Sequence, residues 1–83
     1  MFLLRIDKYL KNSRIIKRRT VAKDACQQGR VFINDKSAKP GDEVKIGDIV
    51  QINFGTNSMK IEVLGTDDNV KKDEAIELYK PIE

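Results

Sequence analysis

The stretch Arg19-Thr20-Val21-Ala22-Lys23-Asp24-Ala25-Cys26-Gln27-Gln28-Gly29-Arg30-Val31-Phe32-Ile33-Asn34 changes its period partway along. Val21, Ala22, Ala25 and Cys26 recur at helical spacing and make one apolar stripe, while Gly29 is a natural left-handed helix end. From Arg30 the period becomes two: Val31 and Ile33 alternate around Phe32, and Asn34-Asp35 signals a turn. A helix over about Arg18–Gln28 is therefore expected to run directly into a strand. Arg19 and Lys23 stand one turn apart on the flank of the stripe, so both can point outwards.

Towards the N-terminus the period stays helical. Ile6, Tyr9 and Leu10 share one arc with Leu3, and Arg5, Lys8 and Lys11 fall on the opposite arc. Asp7 lies in the first turn of this helix, where a carboxylate suits the positive helix end; it can cap the helix or orient Arg5. Asn12-Ser13 is a plausible stop, followed by the connector Arg14-Ile15-Ile16-Lys17.

Towards the C-terminus short strands are expected. Lys39-Pro40-Gly41-Asp42 is a turn, and Val44-Lys45-Ile46 is a strand closed by Gly47-Asp48. Val50, Ile52 and Phe54 alternate, as do Met59, Ile61 and Val63. The four residues Gly55-Thr56-Asn57-Ser58 read as the loop of a hairpin. A terminal helix is expected over about 70–80, with Lys71–Lys80 packing Ala75, Ile76 and Tyr79 before Pro81 ends it. The expected fold is α+β: two N-terminal helices on a small antiparallel sheet, closed by a short C-terminal helix. It forms a single domain over 1–83, with a basic helical face at 5–30 and a β-rich part at 31–64.

Composition narrows the function. The chain has 83 residues and net charge +3, with no His and one Cys. A Cys–His pair, a Ser–His–Asp triad and a Cys/His zinc cluster are excluded, and no catalytic residue, metal ligand or cofactor site is expected. One unpaired thiol suits a reducing compartment, so a cytoplasmic protein is expected. Met1-Phe2-Leu3-Leu4 is far too short for a signal peptide or a membrane span. The charge is unevenly spread: residues 1–30 carry +7 and residues 31–83 carry −4. Such asymmetry inside one domain suggests a basic face for a polyanion.

Four pieces in register then resemble the S-four domain, the RNA-binding module named after a small-subunit ribosomal protein. They are Arg5-Ile6-Asp7-Lys8-Tyr9-Leu10, Arg19-Thr20-Val21-Ala22, Gly29-Arg30-Val31-Phe32-Ile33-Asn34 and Val44-Lys45-Ile46-Gly47-Asp48. Two departures stand out: Arg18 where the family commonly has a Ser or Thr cap, and Asp35 where a Gly is common. Nearly the whole chain is similar to the short stand-alone members that act in ribosome quality control, although Phe2, Leu3 and Leu4 lie ahead of Arg5, where such proteins usually start almost at the Arg. That resemblance implies a non-enzymatic, monomeric protein that binds rRNA of the large ribosomal subunit. It also implies an obstructed peptidyl-tRNA and the factor that adds C-terminal Ala as neighbours, and no membrane. The alternative within the family is a heat-shock-type large-subunit binding protein.

The candidate RNA-binding residues are Arg5, Lys8, Lys11, Arg14, Lys17, Arg18, Arg19, Lys23 and Arg30. Positive charge at a helix N-terminus opposes the helix dipole, so Arg18 and Arg19 are locally unfavourable there unless an anion is bound. Phosphates suit both guanidinium forks and the N–H groups of that helix end. Packing of the helices through Ile6/Leu10 and Val21/Ala25 would merge their basic arcs. Arg30 either extends this face or is an ordinary surface residue. Cys26 reads as a buried small hydrophobe. Tyr9 and Phe54 read as core, whereas Phe32 faces the other side of its strand, where a ring can stack on a base. Asp73, Glu74 and Glu77 read as a solvated face or a protein contact. Two other functions compete: a helix-turn-helix DNA-binding regulator, against which the hydrophobic β-half argues, and a protein adaptor acting through the acidic half.

Overall fold

A computed structural model describes residues 3–66 and 78–82 of the chain. In chain order the elements are β1 (Leu4–Arg5), α1 (Ile6–Asn12), α2 (Arg19–Gln27), β2 (Val31–Ile33), β3 (Lys36–Ser37), β4 (Glu43–Val44), β5 (Ile49–Phe54), β6 (Asn57–Val63) and β7 (Tyr79–Ile82). The fold is α+β. The strands form a five-stranded antiparallel sheet, ordered β3-β2-β5-β6-β7, and a two-stranded sheet of β1 and β4.

Helix α1 has only seven residues, too few to hold by local propensity. Its stability comes from packing: Ile6, Tyr9 and Leu10 are fully buried, and the Tyr9 hydroxyl donates to the Leu78 carbonyl at 2.7 Å. Burial pushes the Tyr9 phenol far above its ordinary range, with Tyr79 adding to the effect, so it stays a neutral donor. Helix α2 buries Ala22 and Cys26, and these small side chains let it lie close against α1. Beneath the helices, Val31, Val50, Ile52, Ile61 and Val63 project from one face of the large sheet to complete the core.

Turn chemistry sets the registers. Asn34 and Asp35 both have positive φ (51° and 69°) between the paired residues Ile33 and Lys36, as a two-residue type I′ hairpin requires. Asp35 thus does the work of the Gly common there. The β5–β6 hairpin is tighter than the four-residue loop read from the sequence: Phe54 pairs with Asn57, leaving only Gly55-Thr56 between them. Gly55 has φ 60° at the first central position, where a II′ turn takes Gly.

Other expectations need correction. Leu4 and Arg5 form a strand against Val44 and Glu43 instead of opening the helix, which leaves Leu3 half exposed. The strand expected over Val44–Ile46 stops at Val44 because Lys45 and Asp48 close a turn, and Ile46 points to solvent. Val21 is half exposed because α2 buries only the narrow line through Ala22 and Cys26. Phe54 keeps the inward parity of Val50 and Ile52, yet its place at a hairpin tip leaves it 43% exposed. Most of the expected terminal helix lies outside the described residues. Its last residues, Tyr79 and Lys80, with Pro81, form β7, pairing Val63, Glu62 and Ile61. Pro81 is accommodated because β7 is an edge strand.

Candidate nucleic-acid interface

The basic residues of the first thirty positions are placed by α1, α2 and the connector between them. Helix α2 begins with Arg18 as its N-cap in an extended conformation, with no side-chain cap bond and no acidic residue in the first turn. This helix end therefore offers backbone N–H groups, the positive end of the dipole and two guanidinium groups together. Arg18, Arg19 and Lys23 are all exposed, and Lys23 extends the row by one turn.

Asp7 organises the site. Its carboxylate is buried on α1, with 1% of the residue exposed. One oxygen, Oδ1, accepts the backbone N–H of Lys8 at 2.7 Å. The other, Oδ2, lies 3.2 Å from an Arg5 guanidinium nitrogen and 3.6 Å from Nε of Arg19. Arg5 is held through a terminal guanidinium nitrogen and Arg19 through Nε, and each side chain is about half exposed. A buried anion thus holds two guanidinium groups from different elements side by side. Each keeps donors with which to fork onto a phosphate.

The remaining basic residues lie on α1, on the connector and past the far end of α2. Lys8, half-buried, follows Asp7 on α1, and Lys11 is exposed in the last turn of that helix, where a cation also complements the dipole. Arg14 follows the Ser13 C-cap with φ 62°, a left-handed position that ordinarily selects Gly. Lys17 is exposed in the connector. Arg30 lies past the far end of α2, about 14 Å of helix rise from Arg19, and its carbonyl accepts the N–H of Asn53. The structure therefore brings Arg5 and Arg19 together on Asp7, keeps Arg18 and Lys23 next to Arg19 along the start of α2, and leaves Arg30 apart.

Sequence reasoning placed Asp7 as a cap or as a partner of Arg5 and missed its link to Arg19. The signal was present: at 100° per residue Asp7 falls about 60° from Leu10, at the edge of the buried arc. A carboxylate half-turned into the core requires cationic partners.

Cys26 behaves as a core residue. Its thiol is buried and pushed up to about 11 from an ordinary 9.0, by burial first and then by Asp7 and Asp42. Such a thiol is protonated and unreactive near neutral pH. Among the described residues there is no cluster of metal-ligating side chains, and no helix is long and apolar enough to cross a membrane.

Comparison with known proteins fits this geometry. The family model of the S4 domain, the S-four module, matches residues 4–50. The chain is 47% identical over 76 residues to a protein of Listeria innocua named RQC P-site tRNA stabilizing factor, covering 92% of this chain and 83% of that one. A protein of the same name from Halalkalibacterium halodurans is 47% identical over 77 residues, covering 93% and 88%. Among solved structures, trimeric Heat Shock Protein 15 of Vibrio cholerae superposes with a TM-score of 0.88 at 29% identity, covering 98% of this chain and 83% of that one.

Proposed function

Because this chain belongs to the S4 domain family, we propose that it is a non-enzymatic RNA-binding protein of ribosome-associated quality control. Its basic helical face binds rRNA of the large subunit and the tRNA held there. The observation that carries this reading is the Asp7-centred pair of Arg5 and Arg19, set beside the uncapped, doubly cationic start of α2. Affinity comes from phosphate contacts, and recognition from the shape of folded RNA.

On this reading the contribution is positional. On a large subunit carrying an obstructed peptidyl-tRNA, the arginines hold the tRNA in place while the ribosome makes the peptide bonds of a C-terminal Ala tail. The RNA-binding set is Arg5, Arg18, Arg19 and Lys23 at the centre, with Lys8, Lys11, Arg14 and Lys17 around them and Arg30 peripheral. A cytoplasmic monomer suits this role. The names of the relatives from Listeria innocua and Halalkalibacterium halodurans support it, since they describe factors that stabilise a P-site tRNA. Likeness to Heat Shock Protein 15 supports a second reading, a heat-shock-type subunit-binding protein, at lower identity.

A strain lacking the protein and carrying a reporter that stalls translation tests the proposal. Ala tails on the stalled product should disappear and return with the wild-type chain but not with Arg19→Ala. Tailing that is unchanged in the deletion strain contradicts the quality-control role.

A further inference from the structure

An open cleft of about 600 Å³ lies where the two sheets meet, between the β1–β4 pair and the β2–β3 hairpin. Leu3 and Ile33 form apolar wall: Leu3 is half exposed and Ile33 partly buried. The floor is already set. Asn34 Nδ2 donates to Asp48 Oδ1 at 3.1 Å, the Ile49 N–H donates to Asn34 Oδ1 at 2.9 Å, and the Lys45 N–H donates to Asp48 Oδ2 at 2.9 Å. At the rim stand Lys36, Lys45, Asp42 and Glu43: Asp42 Oδ2 accepts the Lys39 N–H at 2.9 Å, while the charged groups of Lys36, Lys45 and Glu43 have no partner among the described residues.

The cleft is continuous with the basic face. Leu4 and Val44 pair and are buried, so Arg5 and Glu43, paired next to them, take the opposite face of the small sheet. Leu3 and Lys45 stand one step beyond on that same face. Arg5 of the basic face and three residues of the cleft, Leu3, Glu43 and Lys45, thus share one face of the small sheet.

We infer that the cleft takes a single unpaired nucleotide of the bound RNA, with its base against Leu3 and Ile33. An amino group on the base edge donates to Glu43, and the flanking phosphates rest on Lys36 and Lys45. Each wall makes its own demand. A bare phosphate would be repelled by Glu43, and a basic peptide by the two lysines. An unpaired nucleotide presents a flat apolar body, an amino edge and an anionic backbone at once. This inference rests on the RNA-binding reading proposed above.

Fluorescence anisotropy with three RNA hairpins of one stem tests it: no bulge, one bulged uridine, one bulged cytidine. The bulged cytidine should raise affinity about tenfold over the unbulged stem, a typical gain for one well-read base, with uridine between. Glu43→Gln should make cytidine and uridine equal. Leu3→Ser should remove the gain from any bulge while binding to the plain stem stays unchanged. Equal affinity for all three hairpins overturns the inference and leaves the basic face standing. Failure of the wild-type chain to bind any hairpin overturns both. Retained cytidine preference in Glu43→Gln overturns the assignment of the amino edge.

Discussion

Replacing Asp7 by Asn sets two physical pictures against each other. The substitution removes a negative charge from a chain of net charge +3, so electrostatics alone would tighten RNA binding. The structure predicts the reverse. Asn retains an acceptor for the Lys8 N–H, but its amide nitrogen would face the two guanidinium groups now 3.2 and 3.6 Å from Oδ2. Arg5 and Arg19 are each about half in water and would resolvate, so the stability cost stays near the lower end for a charged hydrogen bond, about 1–2 kcal/mol. For a domain of this size that lowers Tm by roughly 5–15 °C. Both arginines must then be ordered at the moment of binding, at about 0.5–1 kcal/mol each, which weakens RNA affinity roughly 5- to 30-fold. Affinity should be measured by anisotropy well below the variant's Tm, over a range of salt. The wild-type slope of log affinity against log salt should be roughly −3 to −5 for four or five phosphate contacts. Asp7→Asn should keep that slope and lose affinity at every salt concentration. Tighter binding by the folded variant would refute the positioning role of Asp7.

Arg19→Ala should weaken RNA binding about tenfold or more with the fold intact, and Arg19→Lys should restore only part of it, because an ammonium cannot reproduce the guanidinium fork. Circular dichroism with anisotropy checks this; an unfolded Arg19→Ala would mean that the side chain is structural. Arg14→Gly should leave stability unchanged or raise it by up to about 1 kcal/mol, because the left-handed φ of 62° favours Gly, and should still weaken binding. Urea denaturation read beside anisotropy decides, and equal binding would show that Arg14 merely tolerates its strain. Cys26 sets a pH dependence. Its folded thiol keeps its proton to about pH 11 while the unfolded thiol releases it near 9.0, so the folded state binds more protons in that window. Stability from this source is complete below pH 9 and is lost as pH rises towards 11. Cys26→Ala should flatten that part of the denaturation profile; an unchanged profile would assign the fall to other groups.

The two helices and the alternating strands were legible because each carries its own period. Ile6, Tyr9 and Leu10 mark one helical arc, and Val50 with Ile52 marks one sheet face. The strand at Leu4–Arg5 escaped notice for the same reason, and that at Glu43–Val44 was expected over Val44–Ile46 instead. Both are too short to show a period, and each exists only because the other is paired to it. Phe54 and Val21 follow the expected parity or lie beside it, yet exposure depends on what lies opposite, which no local pattern records. The cationic residues of the candidate site were legible as a cluster in the first thirty positions. What ties Arg5 to Arg19 is Asp7, reached across the helix–helix contact, and contacts of that kind are set by tertiary packing. The turn at Asn34-Asp35 was legible from residue type alone, because few side chains accept positive φ.

Sedimentation of the tagged protein through a ribosome gradient, from cells in which translation has been stalled, tests the proposed role most directly. The wild-type chain should travel with free large subunits that carry tRNA, and the double variant Arg18→Ala/Arg19→Ala, in which Arg5 still partners Asp7, should remain at the top of the gradient although folded. Wild-type protein found mainly with intact ribosomes or small subunits, or a double variant that still travels with large subunits, would contradict it.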